Sequence, residues 1–154
     1  MRHLTSYKLF ESSGSFDAWF KNSQVVDDNG MPLVVYHQTN EKFDKFDINK
    51  SYTHSFWFTS DKSTIERGET GANNYPGKKV IVMEVYLSIQ KMAGWDEYDK
   101  YDVGELIQMG YDGIQLDDDY VVFEPNQIKS INNKTFNHKN DNIYESENST
   151  NDQR

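Results

Sequence analysis

The chain runs to 154 residues and 18.0 kDa, with a formal charge of −9 at pH 7, a pI near 4.8 and 14% aromatic residues. That length suits one domain with a full core, here weighted toward Tyr, Phe and Trp. The acidity argues against a dedicated DNA- or RNA-binding module, which sets Lys and Arg against phosphate, and the lack of cysteine removes disulfides, thiolate nucleophiles and Cys-based zinc sites.

A protein partner or a small-molecule site fits an acidic chain better, because local charge outweighs the total there. No apolar run approaches the about 18 residues of a membrane span, and no basic stretch leads into one as in a secretion signal. The expectation is a soluble cytoplasmic protein.

Residues 1–15 are irregular and Ser-rich. Ser15 can cap a short helix through "FDAWFKNS", where Phe16, Trp19 and Phe20 fall three and four apart on one face. "VVDDNGMPLVVYH" reads as a hairpin, with Asn29-Gly30 supplying the positive-φ turn between Val25-Val26 and Leu33 to Tyr36. "SFWFTS" is a short aromatic strand, and Ser60 is expected to cap the helical turn "DKSTIERG", which Gly68 ends. "NNYPGKK" is a loop. "VIVMEVYLSI" alternates, with Ile81, Met83, Val85, Leu87 and Ile89 on one face and Glu84, Tyr86 and Ser88 on the other. Asp102 to Met109 is a helix with the capping box Asp102/Glu105, an apolar stripe of Val103, Leu106 and Ile107, and Gly110 as its stop. "DGIQLDDDYVVFEP" gives two short strands separated by acids, and "QIKSI" a last one. Beyond Asn132 the chain is Asn, Lys, Ser and Glu with few apolar residues, so 132–154 are expected to be a disordered tail after one domain over 16–131. Strands with a few short helices make the class α+β.

Three features could carry chemistry. The apolar strand "PLVVYH" ends on His37, most simply a strand-end histidine without a task, and alternatively a donor facing a ligand at a cleft mouth. In the Asp117-Asp118-Asp119 triplet, alternation puts Asp117 and Asp119 on one face, about 6.5–7 Å apart, with Asp118 opposite. A solvated turn is the plain alternative. Metal binding is a third, although the ligand spacing and glycine of an EF-hand loop are missing. What raises the triplet above a turn is the apolar strand that follows, which would hold a carboxylate rigidly. Trp57, between Phe56 and Phe58, is most simply core; on the opposite face its ring becomes a stacking platform for a flat heterocycle such as nicotinamide. There is no GxGxxG, P-loop, GxSxG or HExxH, so a dinucleotide oxidoreductase is not expected.

Together these blocks resemble ADP-ribosyltransferases, most closely the small phage and mobile-element domains of polyvalent proteins. "FDAWFKNSQVVDDNGMPLVVYHQT" is similar to that branch's lead-in to Y-H-G-T, "FWFTSDK" to its second motif, and "GYDGIQLDDDYVVFEPNQIKSI" to its closing segment, while "FNHKNDNIY" is similar to an F-D-x-N-x-x-x-I ending. The resemblance implies a split pair of small β-sheets clamping NAD⁺ as substrate, with no metal. It places His37 as the ribose-binding histidine and Trp57 where a tyrosine often stacks on nicotinamide. Asp119 stands where the catalytic glutamate does. Gln38, Thr39 and Phe58 fall beside the nucleotide, and Asp117 falls at the acceptor-side acid of arginine-modifying relatives. Asp119 is one methylene shorter than Glu, Gln38 replaces a glycine, and Trp57 is a larger ring than Tyr. The implied activity is transfer of ADP-ribose from NAD⁺ to a macromolecular acceptor, a host protein rather than nucleic acid. The alternatives are a catalytically weakened binding protein and an NAD⁺ glycohydrolase.

Overall fold

The computed structural model describes residues 15–39, 45–47, 55–66, 81–133 and 143. The Ser-rich opening, the Gly68 stop, the "NNYPGKK" loop and most of the tail lie outside these residues. In chain order the elements are α1 (Ser15–Phe20), β1 (Val35–Thr39), β2 (Phe56–Thr59), α2 (Lys62–Glu66), β3 (Ile81–Leu87), β4 (Met92–Ala93), α3 (Trp95–Lys100), α4 (Val103–Gln108), β5 (Gly113–Leu116), β6 (Asp119–Val122), a 3₁₀ turn (Pro125–Gln127) and β7 (Ile128–Ser130).

Local chemistry accounts for most of the boundaries. Asp102 accepts from the Glu105 N–H at 2.8 Å while the Glu105 carboxylate takes the Asp102 N–H at 2.9 Å, the reciprocal box that starts α4, and Gly110 ends it at a φ of +95°. Around Gly30 (φ +79°) the Asp27 carboxylate collects the Asn29 and Met31 N–H groups, so a turn forms there, with positive φ at Gly30 but not, as expected, at Asn29. Its flanks shrink to one bridge, Val26 with Pro32, because β1 begins only at Val35 and spends its edges on β3 and β2. At α2 the cap is Asp61 and not Ser60. The Asp61 carboxylate accepts the Ser63 N–H at 3.0 Å, whereas the Ser60 N–H is turned to the Asp118 carbonyl at 2.8 Å.

The strands form one sheet ordered β4-β5-β6-β2-β1-β3-β7, antiparallel throughout except for the parallel β4–β5 pair. Pairing is continuous from Phe56↔Val122 to Thr59↔Asp119 between β2 and β6, and from Val35↔Val85 to Thr39↔Ile81 between β1 and β3. Between β1 and β2 it is a single pair, Tyr36↔Thr59. The sheet is therefore two halves joined at a narrow seam, the α+β split-sheet arrangement.

One face of the sheet carries the main core, in which Val35, Phe56, Phe58, Met83, Val85, Leu87, Tyr120, Val122 and Ile128 pack with Phe46 and Ile143. The other face is covered toward its two ends and, beside β1, by α2, whose Lys62 ammonium lies 5.8 Å from the centre of the Tyr36 ring. At the β4-β5-β6 end, α3 and α4 bring Tyr98, Val103 and Leu106 onto Ala93, Ile114, Leu116 and Val121. At the β3-β7 end, α1 packs Phe16 and Trp19 on Tyr86. That second cover is why Tyr86 and Ser88, expected on the polar side of β3, are buried; the Ser88 hydroxyl donates to the Trp19 carbonyl at 2.8 Å. Between these covers Trp57 of β2 stays exposed, whereas Thr59 and Gln38 on the same face are buried.

Two buried polar side chains hold the corners. Gln127 accepts the N–H groups of Phe123 and Glu124 at 3.1 and 2.8 Å and donates to the carbonyls of Ser88 and Asp112 at 2.9 and 2.7 Å. Ser23 donates to the Leu87 carbonyl at 2.9 Å and accepts the Ile89 N–H at 3.0 Å. Far along the chain, Ile143 is fully buried, and its carbonyl accepts from the Ser130 N–H at 2.8 Å and from the Asn133 amide at 2.9 Å.

Candidate active site

The exposed strip of the sheet around Trp57 is built by alternation. In β2, Phe56 and Phe58 point into the main core, which sends Trp57 and Thr59 to the opposite face. Antiparallel partners share a face, so Thr59↔Asp119 and Trp57↔Val121 bring Asp119 beside Thr59 and one step from Trp57. The result is a pocket of about 340 Å³ lined by Trp57, Thr64, Trp95, Tyr98, Leu116, Asp117, Asp118 and Asp119.

Its walls are aromatic. The Trp57 and Tyr98 rings meet edge to face at 6.3 Å, and Trp95 meets Tyr98 the same way at 5.9 Å. Trp57 and Trp95 nevertheless stay 39% and 47% exposed, an unusual amount of indole to leave in water. The floor is acidic. β5 stops at Leu116 and β6 starts at Asp119, so Asp117 and Asp118 are the two residues of the hairpin turn, with Asp117 at a φ of +59°. Strand alternation therefore does not govern the triplet, and Asp118, expected to face away, lines the pocket with its two neighbours. Desolvation, and then the charges of Asp118 and Asp117, raise the Asp119 pKa, against a hydrogen bond from the Thr59 side chain that pulls it down.

His37 sits on the main-core face of the sheet. Its ring lies 5.0 Å from that of Phe46 and 5.3 Å from that of Phe58. Nδ1 is 2.9 Å from the Trp57 carbonyl, and a carbonyl can only accept, so Nδ1 carries the proton and Nε2 is the ring's acceptor. Burial lowers the His37 pKa despite that backbone bond, which keeps the ring neutral at pH 7. The contact lies at the seam, just where β1 and β2 have a single ladder pair.

The structure thus brings Trp57, Asp117 and Asp119 into one pocket and links His37 to them through the Trp57 backbone rather than through the cavity. Among the described residues, His37, Gln38, Thr39 and Phe58 are not part of the lining. Gln38 is buried and pairs with Val82, Thr39 pairs with Ile81 at the end of β1, and Phe58 belongs to the main core. Sequence reasoning missed Thr64, Leu116, Trp95 and Tyr98. The last two were findable, since Trp95 and Tyr98 stand three apart in "WDEYDK" after Gly94, with Asp96 and Glu97 in a first helical turn. Among the described residues no group of three or more histidine or acidic side chains is arranged to hold a metal ion.

Residues 27–106 match the family described as ADP-Ribosyltransferase in polyvalent proteins, just over half of the 154-residue chain. The matched stretch carries His37, Trp57, Trp95 and Tyr98 and ends before the acidic turn. No curated protein and no solved structure matches the chain.

Proposed function

The chain belongs to the ADP-ribosyltransferases of polyvalent proteins, and from that premise we propose that it transfers ADP-ribose from NAD⁺ to a macromolecular acceptor. The observation that carries this is the meeting of Trp57 and Asp119 in one pocket. The nicotinamide of NAD⁺ is a planar cation, suited to stack on an exposed indole beside carboxylates. Cleaving its bond to the ribose leaves positive charge on the sugar, as in glycoside hydrolysis, and a fixed carboxylate beside C1′ stabilises that charge. The C1′–N bond breaks with its electron pair leaving on nicotinamide, which becomes neutral. The acceptor nucleophile forms the new bond to C1′ and gives up its proton.

In this scheme Asp119 is the catalytic carboxylate, Trp57 the stacking ring and Asp117 the acid on the acceptor side. His37, on the opposite face of the sheet, serves this scheme indirectly, by holding the Trp57 backbone through its Nδ1–H bond to the Trp57 carbonyl. A protein acceptor suits a chain of charge −9 better than nucleic acid does, and a host protein in a phage or mobile-element setting suits the family. The test is incubation of the protein with labelled NAD⁺ and host lysate. A discrete labelled band that Asp119→Asn abolishes supports transfer. Label that persists undiminished in that variant refutes the assignment, and nicotinamide release without a labelled macromolecule replaces transfer with hydrolysis.

A further inference from the structure

Two of the three acids on the pocket floor belong to a turn, so strand geometry alone does not fix where they point. Asp117 opens that turn at a φ of +59°, a conformation that costs energy for a residue with a Cβ and is usually given to Gly or Asn. Two contacts hold the turn from opposite sides. On one side the Ser60 N–H and hydroxyl donate to the Asp118 carbonyl at 2.8 and 3.3 Å, which ties the turn to the end of β2. On the other, Gln115 of β5 reaches forward, and its Nε2 donates to the Asp117 carbonyl and to the Tyr120 hydroxyl, each at 3.1 Å. A carbonyl can only accept, so the amide nitrogen must face Asp117, and both of its N–H groups are then committed.

Tyr120 is a firm anchor. It lies opposite Gln115 in the β5–β6 ladder, and its ring is buried in the main core. Burial, and then the charge of Asp118, raise its pKa, so the phenol keeps its proton. Gln115 by contrast is exposed and lies outside the pocket lining. An exposed glutamine ordinarily gives its amide to water, and fixing it on two protein partners costs side-chain entropy. That cost has a return only if the turn it restrains must stay still.

We infer that Gln115 is a positioning residue, its amide clasping the Asp117 carbonyl to the Tyr120 hydroxyl so that the turn, and with it the Asp119 carboxylate, keeps one orientation in the pocket. The clasp is independent of what the pocket does; that the carboxylate so held serves chemistry at the ribose rests on the function proposed above. Misplacing a reacting group by about 1 Å costs on the order of a hundredfold in rate, so a smaller loosening should cost roughly tenfold.

The experiment replaces Gln115 by Met, a side chain of similar length without N–H groups. Asp119 is followed by carbon-13 NMR of the side-chain carboxyls, its signal assigned by its absence from Asp119→Asn, and nicotinamide release from NAD⁺ is measured in parallel. In the native chain desolvation, with the charges of Asp118 and Asp117, keeps the Asp119 pKa above its ordinary 3.8, against the Thr59 hydrogen bond. A released turn admits water and spreads the acids. The expected result in Gln115→Met is an Asp119 titration displaced toward the ordinary value, with kcat down roughly tenfold and KM little changed. Tyr120→Phe should move both readouts the same way by less, and Gln115→Met/Tyr120→Phe should be no worse than Gln115→Met, because the hydroxyl acts through the amide. An unmoved Asp119 titration in Gln115→Met overturns the inference, as do losses that add in the double variant or a moved titration with unchanged kcat. A moved titration in a protein whose native form releases no nicotinamide preserves the clasp and sinks the transferase proposal. Circular dichroism of each variant separates a loosened turn from a lost fold.

Discussion

Replacing His37 by Phe tests whether the imidazole fastens the seam of the sheet. The phenyl ring keeps the contacts with Phe46 and Phe58 but deletes the 2.9 Å bond from Nδ1–H to the Trp57 carbonyl. A hydrogen bond of this kind is worth about 0.5–1.5 kcal/mol net, and a carbonyl left without a partner in a buried place costs about 1–3 kcal/mol. The site is half-buried, so water can reach part of it, and a loss of about 1–2 kcal/mol is expected near pH 7.5. The gap should then close in acid. The unfolded imidazole takes up a proton near its ordinary value of 6.5, whereas the folded one resists to lower pH. The neutral ring thus contributes stability that is fully present above 6.5 and is lost as pH falls through 6.5 toward the folded value. The phenyl ring of the variant has no proton to bind, so the variant escapes that loss. Urea unfolding of both proteins across pH 5 to about 8 measures the difference, in which every other titrating group cancels. Two stability curves that run parallel over this range would refute the reasoning, as would an initial gap near zero.

Asp119→Asn should cut transfer by about a hundredfold or more, since a charge-stabilising group is removed from the reacting sugar. The same change should raise the melting temperature at neutral pH: a carboxylate whose folded pKa is raised opposes folding above that pKa, and the gain should fade as pH falls toward 3.8, where the unfolded carboxyl also becomes neutral. Gln127→Leu strips partners from two N–H and two C=O groups at once and is expected to cost roughly 3–5 kcal/mol in urea unfolding; a cost under about 1 kcal/mol would show that water replaces the side chain. Gly113→Ala places a methyl 2.6 Å from the Ile89 side chain, which is itself fully buried, so a loss of about 1–3 kcal/mol is expected, with partial recovery in Gly113→Ala/Ile89→Val.

What could be read from the sequence is what neighbouring residues decide among themselves. The Asp102/Glu105 box, the Asn29-Gly30 turn and the alternation from Ile81 to Ile89 depend on residues a few positions apart, and each formed. What stayed hidden depends on distant partners. Period two separates Trp57 from Phe56 and Phe58, but which face is wet is set by which helices pack where on the sheet. β4 is two residues long and has no period to detect. The Asp117-Asp118 turn carries its positive φ on an aspartate, with no glycine to announce it, so a turn was only one of the readings of the triplet and strand alternation was carried across it. Asp61 outcompeted Ser60 as a cap because the Ser60 amide pairs with Asp118, a residue 58 positions away. Of the site, β2 and the acidic triplet were visible as separate pieces; their convergence follows from the β2–β6 register, which no local signal specifies.

The burial of Ile143 bears on how this protein can be shortened. By composition a trimming point near residue 131 looks harmless, yet a chain cut there would open a hole beside Ile128 and strip the Ser130 amide of its acceptor. Fragments made for crystallisation or display should therefore keep at least Ile143, and a proteolytic nick upstream of it should release a plug rather than a fringe.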